Sequence, residues 1–276
     1  MLFDPKILKN LWKPEFDSNK NDNGQLTIVA GSKLFHGPAF FTTKVASRFV
    51  DMVFLASPEP SIGKVANIVK SKLSSFIWVP WEDVKGYLAK SDACLIGPGF
   101  MRFGSKKDEY LQKRDYCDQY CQETREITRD LLTSFPDKKW VIDGGSLQVM
   151  DTSWIPENSI LTPNTKEYKL LFGDTDPSLA SKKFKCFLVL KGPITKVYSP
   201  DGKVVEVPGG NPGLTKGGTG DVQAGITAAL LTKNDPKTSA IVGAYAVKKA
   251  ADNLYSKVGF NYNSDDLANE IPQVLR

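Results

Sequence analysis

The sequence predicts an α/β fold in which helices cover both faces of a mostly parallel sheet, with a β-hairpin late in the chain. Short apolar runs of strand length alternate with segments of helical spacing, which is typical of a parallel sheet with helical connections. Two further strand-like runs, 195–199 and 204–207, flank Pro200-Asp201-Gly202 and indicate the hairpin. With 276 residues, 41% of them hydrophobic, the chain suits one large α/β domain or two small ones.

The predicted strands are apolar runs that end at glycine, proline or polar residues. They cover residues 26–30, 52–56, 76–79, 93–96, 140–142, 160–162 and 187–190. Helical spacing predicts helices over residues 39–50, 65–73, 222–231 and 238–255, and one or two surface helices within the charged segment 105–135. The first residues end in a polar run, so we expect an N-terminal arm over 1–23 and a single domain over 24–276.

The composition argues against several classes of protein. The formal net charge of +5 is spread along the chain, which favours a small anionic ligand over nucleic acid. No apolar run is long enough to span a membrane, and the first residues lack the apolar core of a signal peptide. The four cysteines are scattered, apart from Cys117 and Cys121 at helical spacing, and the chain has one histidine. We therefore expect reduced cysteines, no zinc site and a cytoplasmic protein.

A glycine-rich loop that runs directly into an apolar helix is the most informative stretch. Residues 208–231 read P-G-G-N-P-G-L-T-K-G-G-T-G-D-V-Q-A-G-I-T-A-A-L-L. A helix beginning just after residues 217–220 directs its free amides and the positive end of its dipole into the loop, which predicts an anion site. Asp221 is therefore either a helix cap or a base that takes a proton from a hydroxyl attacking a phosphate, and spacing alone does not separate these interpretations.

Two common phosphate-binding loops are excluded by inspection. The chain contains no Walker string, and neither Gly97-Pro98-Gly99 nor Gly218-Thr219-Gly220 is followed by the last glycine of a dinucleotide fingerprint. Polar and glycine residues nevertheless follow the predicted strands, and ligands of parallel sheets gather where strands end. They are Gly31-Ser32, Gly97-Pro98-Gly99, Asp143, Asn164 with Glu167, and Lys191-Gly192. Each alone is explained as a turn, a cap or a solvated lysine; together they predict a ligand site.

The order of these motifs resembles that of the NAD(P)H-hydrate dehydratases, the nicotinamide-nucleotide repair branch of the ribokinase-like superfamily. The family signature G-N-x-G-M-A-x-G-G-T-G-D-V is similar to residues 210–222, G-N-P-G-L-T-K-G-G-T-G-D-V. Residues 31–39 resemble its G-S-x-x-x-x-G-A element, 96–99 its I-G-P-G turn, 161–167 its L-T-P-H-x-G-E string and 189–195 its V-L-K-G-x-x-T string. The resemblance extends from Gly31 to Leu231 and implies a ribokinase-like fold.

The resemblance also implies an activity, the dehydration of NADHX or NADPHX to NADH or NADPH with ADP or ATP as phosphoryl donor and Mg²⁺ beside the phosphates. Asp221 would deprotonate the C6 hydroxyl of the hydrate. The transferring phosphoryl group would contact Gly217, Gly218, Thr219 and Gly220. The nucleotide would contact Lys191, Gly192, Pro193, Ile194, Thr195 and Gly220. The hydrate would contact Ala39, Gly99, Asn164 and Asp221, and Glu167 would lie near the water shell of Mg²⁺.

The chain departs from the family pattern at two places, which keeps an alternative function open. Asn164 stands where the family string has histidine, and Gly145 and Ser146 replace an acidic residue and an alanine of its D-A-D-A-L run. Asn164-x-x-Glu167 is also the N-x-x-E string that resembles sugar and vitamin kinases of the same superfamily. The alternative is therefore a kinase that phosphorylates a small hydroxymethyl or sugar-like alcohol.

A third hypothesis is a nucleotide-binding subunit without turnover, against which the carboxylate of Asp221 argues, because it would only weaken phosphate binding. The family resemblance further implies a homo-oligomer, a tetramer in many members. It also implies cooperation with an NAD(P)H-hydrate epimerase, which we expect to be a separate protein. The sequence does not separate ADP from ATP, or the NADH hydrate from the NADPH hydrate.

Overall fold

Seven parallel strands and a terminal antiparallel hairpin form one sheet in the computed structural model, which describes residues 1–102 and 117–276. The strand order is β3-β2-β1-β4-β5-β6-β7-β8-β9. The strands are β1 Gln25–Val29, β2 Met52–Ala56, β3 Ile77–Val79, β4 Ala93–Ile96, β5 Lys139–Ile142, β6 Ile160–Leu161, β7 Phe187–Leu190, β8 Thr195–Tyr198 and β9 Val204–Val207. Every strand expected from the sequence, the hairpin included, lies within two residues of its predicted bounds.

Helices connect the parallel strands, and further helices follow the hairpin. They are α1 Gly37–Ala46, α2 Pro60–Val69, α3 Val84–Lys90, α4 Gln119–Ser134, α5 Gly144–Val149, α6 Thr165–Phe172, α7 Pro177–Lys183, α8 Thr219–Leu231, α9 Pro236–Val258 and α10 Ser264–Val274. The prediction of one or two helices within 105–135 is met by α4, and the rest of that segment up to residue 116 lies outside the described residues. Helices α3, α5, α6, α7 and α10 were not expected from the sequence.

The sheet has a separate apolar core on each face. Alternating strand residues face opposite sides, so Leu95 and Val141 pack with α8, whereas Ile96 and Trp140 pack with α4 and α5. A further cluster joins α8 and α9 to α1 and α10. Because α8 is buried on nearly every side, its apolar composition is explained by its place in the interior. The arrangement confirms a mostly parallel sheet with helices on both faces.

The strand order places a crevice between β1 and β4. The chain builds β1, β2 and β3 outward and then returns to β4 on the other side of β1, so the direction of strand order reverses there. In open α/β sheets, ligands bind outside the carboxyl ends of the strands at such a point. Gly31 and the turn at Gly97 follow these two strands, and the Gly31 amide donates to the Pro98 carbonyl over 2.8 Å. Gly97 has φ +105°, and a side chain there would collide with the Asp143 carbonyl.

The N-terminal residues lie on the surface but are bonded to the sheet. The Glu206 amide donates to the Met1 carbonyl and the Phe3 amide to the Glu206 carbonyl, which extends the sheet beyond β9. The Phe3 ring stacks on Tyr245 of α9, with centroids 4.3 Å apart. These contacts show why the arm adopts one path; the division of the chain at residue 23 stays a prediction.

The expectation of reduced cysteines is wrong for one pair. Cys117 and Cys121 form a disulfide at the start of α4, where their spacing of four residues puts one turn of chain between them. Cys94 and Cys186 are buried thiols, and burial raises the pKa of each to about 12. No cluster of three potential metal ligands of the His, Cys, Asp or Glu type occurs in the described ranges. Those ranges also contain no helix with the length and hydropathy needed to cross a membrane.

Candidate active site

A buried ion pair joins the ends of two central strands. The Lys191 ammonium, just after β7, lies 2.8 Å from Oδ1 of Asp143, just after β5. The same oxygen accepts a hydrogen bond of 2.7 Å from the Thr162 hydroxyl, after β6. Asp143 is the N-cap residue of α5 by position, yet its side chain makes no capping bond. Its carboxylate therefore holds three adjacent strand ends together.

Asn164 and Glu167 form a capping box at the start of α6. The Asn164 side chain accepts bonds from the amides of Lys166 and Glu167, and Glu167 accepts a 2.9 Å bond from the Asn164 amide. The other Glu167 oxygen accepts from Gln148 over 3.2 Å. The N-x-x-E string thus has a complete local explanation, one visible in the sequence as a capping box. Burial raises the pKa of Glu167, opposed by the charge of Lys191 and reinforced by that of Asp143.

The loop before α8 is fixed by contacts with α9 and α10. The Asn211 side chain donates to the Ala251 carbonyl and accepts from the Tyr262 hydroxyl, over 2.9 and 2.8 Å. The Ser264 hydroxyl donates to the Gly217 carbonyl over 2.7 Å. Gly218 has φ +92°, and a side chain there would meet Phe41 and Ser264 at under 3 Å. The loop therefore presents its backbone in one defined conformation.

The amides at the start of α8 are available to a ligand, with one exception. Those of Gly217, Gly218, Gly220 and Asp221 donate to no acceptor in the part of the chain that the structure describes, as expected for the first turn of a helix. The Thr219 amide lies 3.4 Å from the Lys216 carbonyl, and its hydroxyl bonds within the loop. Since the helix dipole also favours negative charge here, the arrangement can bind an anion.

Asp221 lies in this first turn and is not a helix cap. Gly218 is the N-cap residue, and no side chain caps the helix. Burial raises the pKa of Asp221 from its ordinary value of 3.8 to about 7; the charges of Asp143 and Glu167 add to this, and that of Lys191 opposes it. Although burial lowers the pKa of Lys191, the neighbouring carboxylates raise it overall, so the lysine stays charged. A carboxyl with a pKa near neutrality can accept a proton in the working range of most enzymes.

A cavity of about 630 Å³ opens beside the α8 amides. Its walls include predicted residues from the start of α6, the β7–β8 turn with the start of β8, and the start of α8. They are Asn164, Lys191, Gly192, Pro193, Thr195, Thr219 and Gly220. Its volume is within the usual range for small-molecule sites. The cavity therefore brings together most of the residues assigned from the sequence to nucleotide binding.

Other predicted residues lie outside this wall. Ile194 is 49% exposed, and Gly217, Gly218, Glu167 and Asp221 do not line the cavity. Gly99 follows β4 at the β1–β4 crevice, where a side chain would meet the Phe35 carbonyl at 2.9 Å. Ala39 in α1 is fully buried, with its carbonyl accepting from the Thr42 and Thr43 hydroxyls. Of the residues assigned to the hydrate, Gly99 thus lies at the crevice and Asn164 lines the cavity, whereas Asp221 lies outside the cavity wall.

Two polar residues of the cavity wall were missed in the sequence. Lys248 of α9 is 7% exposed and donates to the carbonyls of Gly192 and Pro193, both over 2.8 Å. Gln223 of α8 is 6% exposed. Both lie in predicted helices, where Gln223 stands among apolar residues and Lys248 is followed by a second lysine, so neither was distinguished as a site residue. Burial lowers the pKa of Lys248, opposed by the charge of Asp252.

Comparison with known proteins identifies relatives of nearly the whole chain. Residues 26–273 match the family model described as NAD(P)H-hydrate dehydratase. A bifunctional NAD(P)H-hydrate repair enzyme of Archaeoglobus fulgidus is 40% identical over 268 residues, which are 94% of this chain and 52% of the relative. An ADP-dependent (S)-NAD(P)H-hydrate dehydratase of Cenarchaeum symbiosum is 27% identical, over 94% of this chain and 91% of the relative. The chain spans about half the length of the bifunctional relatives.

Solved structures show the same fold. The ADP/ATP-dependent NAD(P)H-hydrate dehydratase of Bacillus subtilis, co-crystallised with ATP and Mg²⁺, superposes with a TM-score of 0.79 at 21% identity, over 99% of this chain and 96% of that one. A ribokinase-like superfamily protein of Enterococcus faecalis gives 0.80, also at 21% identity, over 99% and 94% of the two chains. The fold is therefore ribokinase-like. With the family model covering residues 26–273 and a relative at 40% identity, this chain is a member of the NAD(P)H-hydrate dehydratase family.

Proposed function

We propose that this protein converts NADHX and NADPHX to NADH and NADPH, with ADP or ATP as phosphoryl donor. The observation that carries the proposal is a carboxyl group, Asp221, with a pKa of about 7 in the first turn of a helix whose amides are available to an anion. A carboxylate at such a place weakens anion binding, so its presence is explained best if a proton has to move. The named activities of the family relatives support the same reaction.

In the proposed reaction, Asp221 takes the proton of the C6 hydroxyl while that oxygen attacks the terminal phosphorus of the nucleotide. The bond from phosphorus to the bridging oxygen breaks and leaves the shorter nucleotide. Phosphate then departs from C6 with the C–O electrons, and the neighbouring ring carbon loses a proton, which restores the double bond. The amides of Gly217, Gly218 and Gly220 stabilise the charge that spreads over the phosphoryl oxygens.

The positive charge of Lys191 also faces the transferring group. A side-chain carbon built at Gly220 would lie 3.4 Å from its Nζ, so the ammonium is next to the α8 amides. Its ion pair with Asp143 fixes the ammonium in place. We therefore assign Lys191 to the binding of phosphate oxygens, with Gly192, Pro193, Ile194 and Thr195 following the nucleotide along the β7–β8 turn.

The residues present fit Mg²⁺ held chiefly by phosphate oxygens and water. Magnesium keeps several waters and uses one or two carboxylates rather than a full protein cage. One Glu167 oxygen accepts a hydrogen bond from the Asn164 amide and the other accepts one from the Gln148 side chain, so both oxygens have lone pairs left. We propose that Glu167 orders a water of the ion, which would neutralise phosphate charge. Asn164 and Gly99 are proposed to contact the hydrate, whereas the fully buried Ala39 presents no surface to it in this structure.

The N-x-x-E string gives little separate support to the competing kinase hypothesis. The N-x-x-E string that resembled the sugar and vitamin kinases is a capping box in this protein, and a cap needs no phosphate. The hypothesis of a binding subunit without turnover leaves the Asp221 carboxyl, with its raised pKa, without a purpose. From the family resemblance we also propose a homo-tetramer in the cytoplasm that acts together with an NAD(P)H-hydrate epimerase activity.

The test is an assay with chemically hydrated NADH, Mg²⁺ and either ADP or ATP, in which the dihydronicotinamide absorbance is followed. We expect the absorbance to return with at least one donor and to stay low without a nucleotide. Comparing the two donors, and the NADH with the NADPH hydrate, defines the specificity. No return of absorbance with either donor, together with phosphorylation of a hydroxymethyl substrate that keeps its phosphate, would establish the kinase instead.

A further inference from the structure

Gln223 is a buried polar residue with an unpartnered amide in the wall of the cavity. Its side chain is 94% shielded, and Nε2 has no hydrogen-bond partner among the described residues. Leaving such a group unpaired in the interior is destabilising, so buried amides are nearly always bonded. Since a half-turn about the last side-chain bond exchanges the amide oxygen and nitrogen, either atom can be presented to the cavity. Because Gln223 lines the cavity, rotation of this amide brings it within reach of a ligand there.

The position of Gln223 on α8 indicates which part of a ligand it meets. Residues three and four apart share a helix face, so Gln223 lies on the face of Gly220 and Thr219, one turn further from the helix start. The three residues line the same cavity. A ligand whose phosphate binds the free amides of the first turn can extend along this face to Gln223.

The lining of this cavity is mostly apolar. Besides Gln223 it contains Val247 of α9 and Leu214 and Pro212 of the loop. Such a surface suits a sugar and a flat base better than a phosphate, which would be bound by charged or amide groups. A carboxamide in this wall offers both a donor and an acceptor, as sugar hydroxyls and base edges require.

We propose that Gln223 is a specificity-determining residue that hydrogen-bonds the nucleoside part, rather than the phosphates, of the donor nucleotide. The inference deepens the proposed function, because it assumes that the cavity holds the phosphoryl donor. It makes Gln223 a binding residue that takes no part in proton or phosphoryl transfer. A hydrogen bond to the nucleoside would then satisfy the amide that is unpartnered in the ligand-free protein.

The experiment measures ligand binding by calorimetry and thermal unfolding for the wild type and Gln223→Met, whose side chain has a similar length and no amide. We expect the Kd of ADP, or of ATP if that is the better donor, to rise about tenfold, while the Kd of inorganic pyrophosphate changes less than twofold. We also expect the ligand-free variant to unfold at a higher temperature, because an unpaired buried amide has been removed. A residue with only a structural role would give the opposite change in unfolding temperature.

The matched control is Thr227→Val, one turn further along α8. Thr227 is fully buried, its hydroxyl is also unpartnered in the described part of the chain, and it does not line the cavity. This variant should bind nucleotide like the wild type. Gln223→Leu provides a second apolar variant in case the methionine does not pack.

The results separate this inference from the proposed function. An unchanged nucleotide Kd in both Gln223 variants, or an equal loss of pyrophosphate binding, would overturn the inference even if the wild type restores NADH from its hydrate. Selective loss of nucleotide binding in a protein that does not act on the hydrate would support the inference and overturn the proposed function. Absence of nucleotide binding by the wild type would overturn both.

Discussion

Replacing Asp221 by asparagine should change the pH dependence of stability. The wild-type carboxyl has a pKa of about 7 in the folded protein and an ordinary value of 3.8. Between these values the unfolded chain has lost the proton that the folded protein still holds, so the free energy of unfolding falls as the pH rises. Asparagine does not titrate. The variant should therefore lack this loss of stability, which is complete in the wild type above pH 7.

The magnitude follows from the two pKa values. Their difference corresponds to about 4 kcal/mol at 1.36 kcal/mol per pH unit, which is an upper estimate. The pKa of about 7 already includes the attraction between Asp221 and Lys191, so this attraction is not subtracted again. We expect Asp221→Asn to be more stable than the wild type by about 2 to 4 kcal/mol at pH 8, and nearly equal to it at pH 4.

The assay is urea unfolding at pH 4, 6 and 8, followed by circular dichroism, with Asp174→Asn as the control. Asp174 is an exposed carboxylate in the loop between α6 and α7, so its replacement should leave the pH dependence unchanged. If Asp221→Asn followed the wild type at every pH, Asp221 would titrate normally in the folded protein. The argument for a base with a raised pKa would then be refuted.

The ion pair, the buried lysine and the Asp221 carboxyl each give a further prediction. Lys191→Met leaves the Asp143 carboxylate buried without its cation and should lower the free energy of unfolding by about 3 kcal/mol. Adding Asp143→Asn should restore part of this loss. A double variant no more stable than the single one would contradict the ion pair. Lys248→Met removes two hydrogen bonds to the β7–β8 turn and should raise the Kd of ADP about tenfold. An unchanged Kd in calorimetry would exclude the lysine from the site. For turnover of the hydrate, log(kcat/KM) should rise with pH up to about 7 and then level off, because only the carboxylate accepts a proton; a profile that is flat from pH 5 to 8 would contradict the assignment.

The strands and the hairpin could be predicted because each is set by local sequence. Short apolar runs bounded by glycine, proline and polar residues define β1 to β9 to within one residue at each end. Two of the missed helices also carry a local signal, since α6 and α10 both begin with a capping box, at Asn164 and Asn263. Asparagine with an acidic residue three positions later was read at Asn164 only as a phosphate motif.

The contacts that assemble the site could not be predicted in the same way. Lys191 and Asp143 are 48 residues apart in the chain, and either alone is explained as a solvated lysine or a helix cap. Lys248 reaches the β7–β8 turn from a helix more than 50 residues further on. Only the strand order brings such residues to one edge, so their pairing depends on tertiary structure. The Cys117–Cys121 bond was missed because a pair at helical spacing gives no sign of its redox state.

The role of the glycine-rich loop could be predicted in part from the sequence. Its glycines and the following apolar helix predict an anion site, and the free amides at the start of α8 agree with that prediction. The sequence left two interpretations of Asp221 open, and the geometry removes one of them, because no side chain caps the helix. Burial, which sets the pKa of this group, depends on the packing of α8 against α1 and α9 and is not visible in the loop itself.

The most direct test of Asp221 as the base measures two quantities on the same sample of Asp221→Asn at pH 8, the affinity for the donor nucleotide and the rate at which hydrated NADH is restored. A general base contributes about 10²- to 10⁴-fold to a rate. We predict a nucleotide Kd within a few-fold of the wild-type value and a rate lower by at least two orders of magnitude. A variant that binds nucleotide normally and restores NADH at close to the wild-type rate would contradict the assignment.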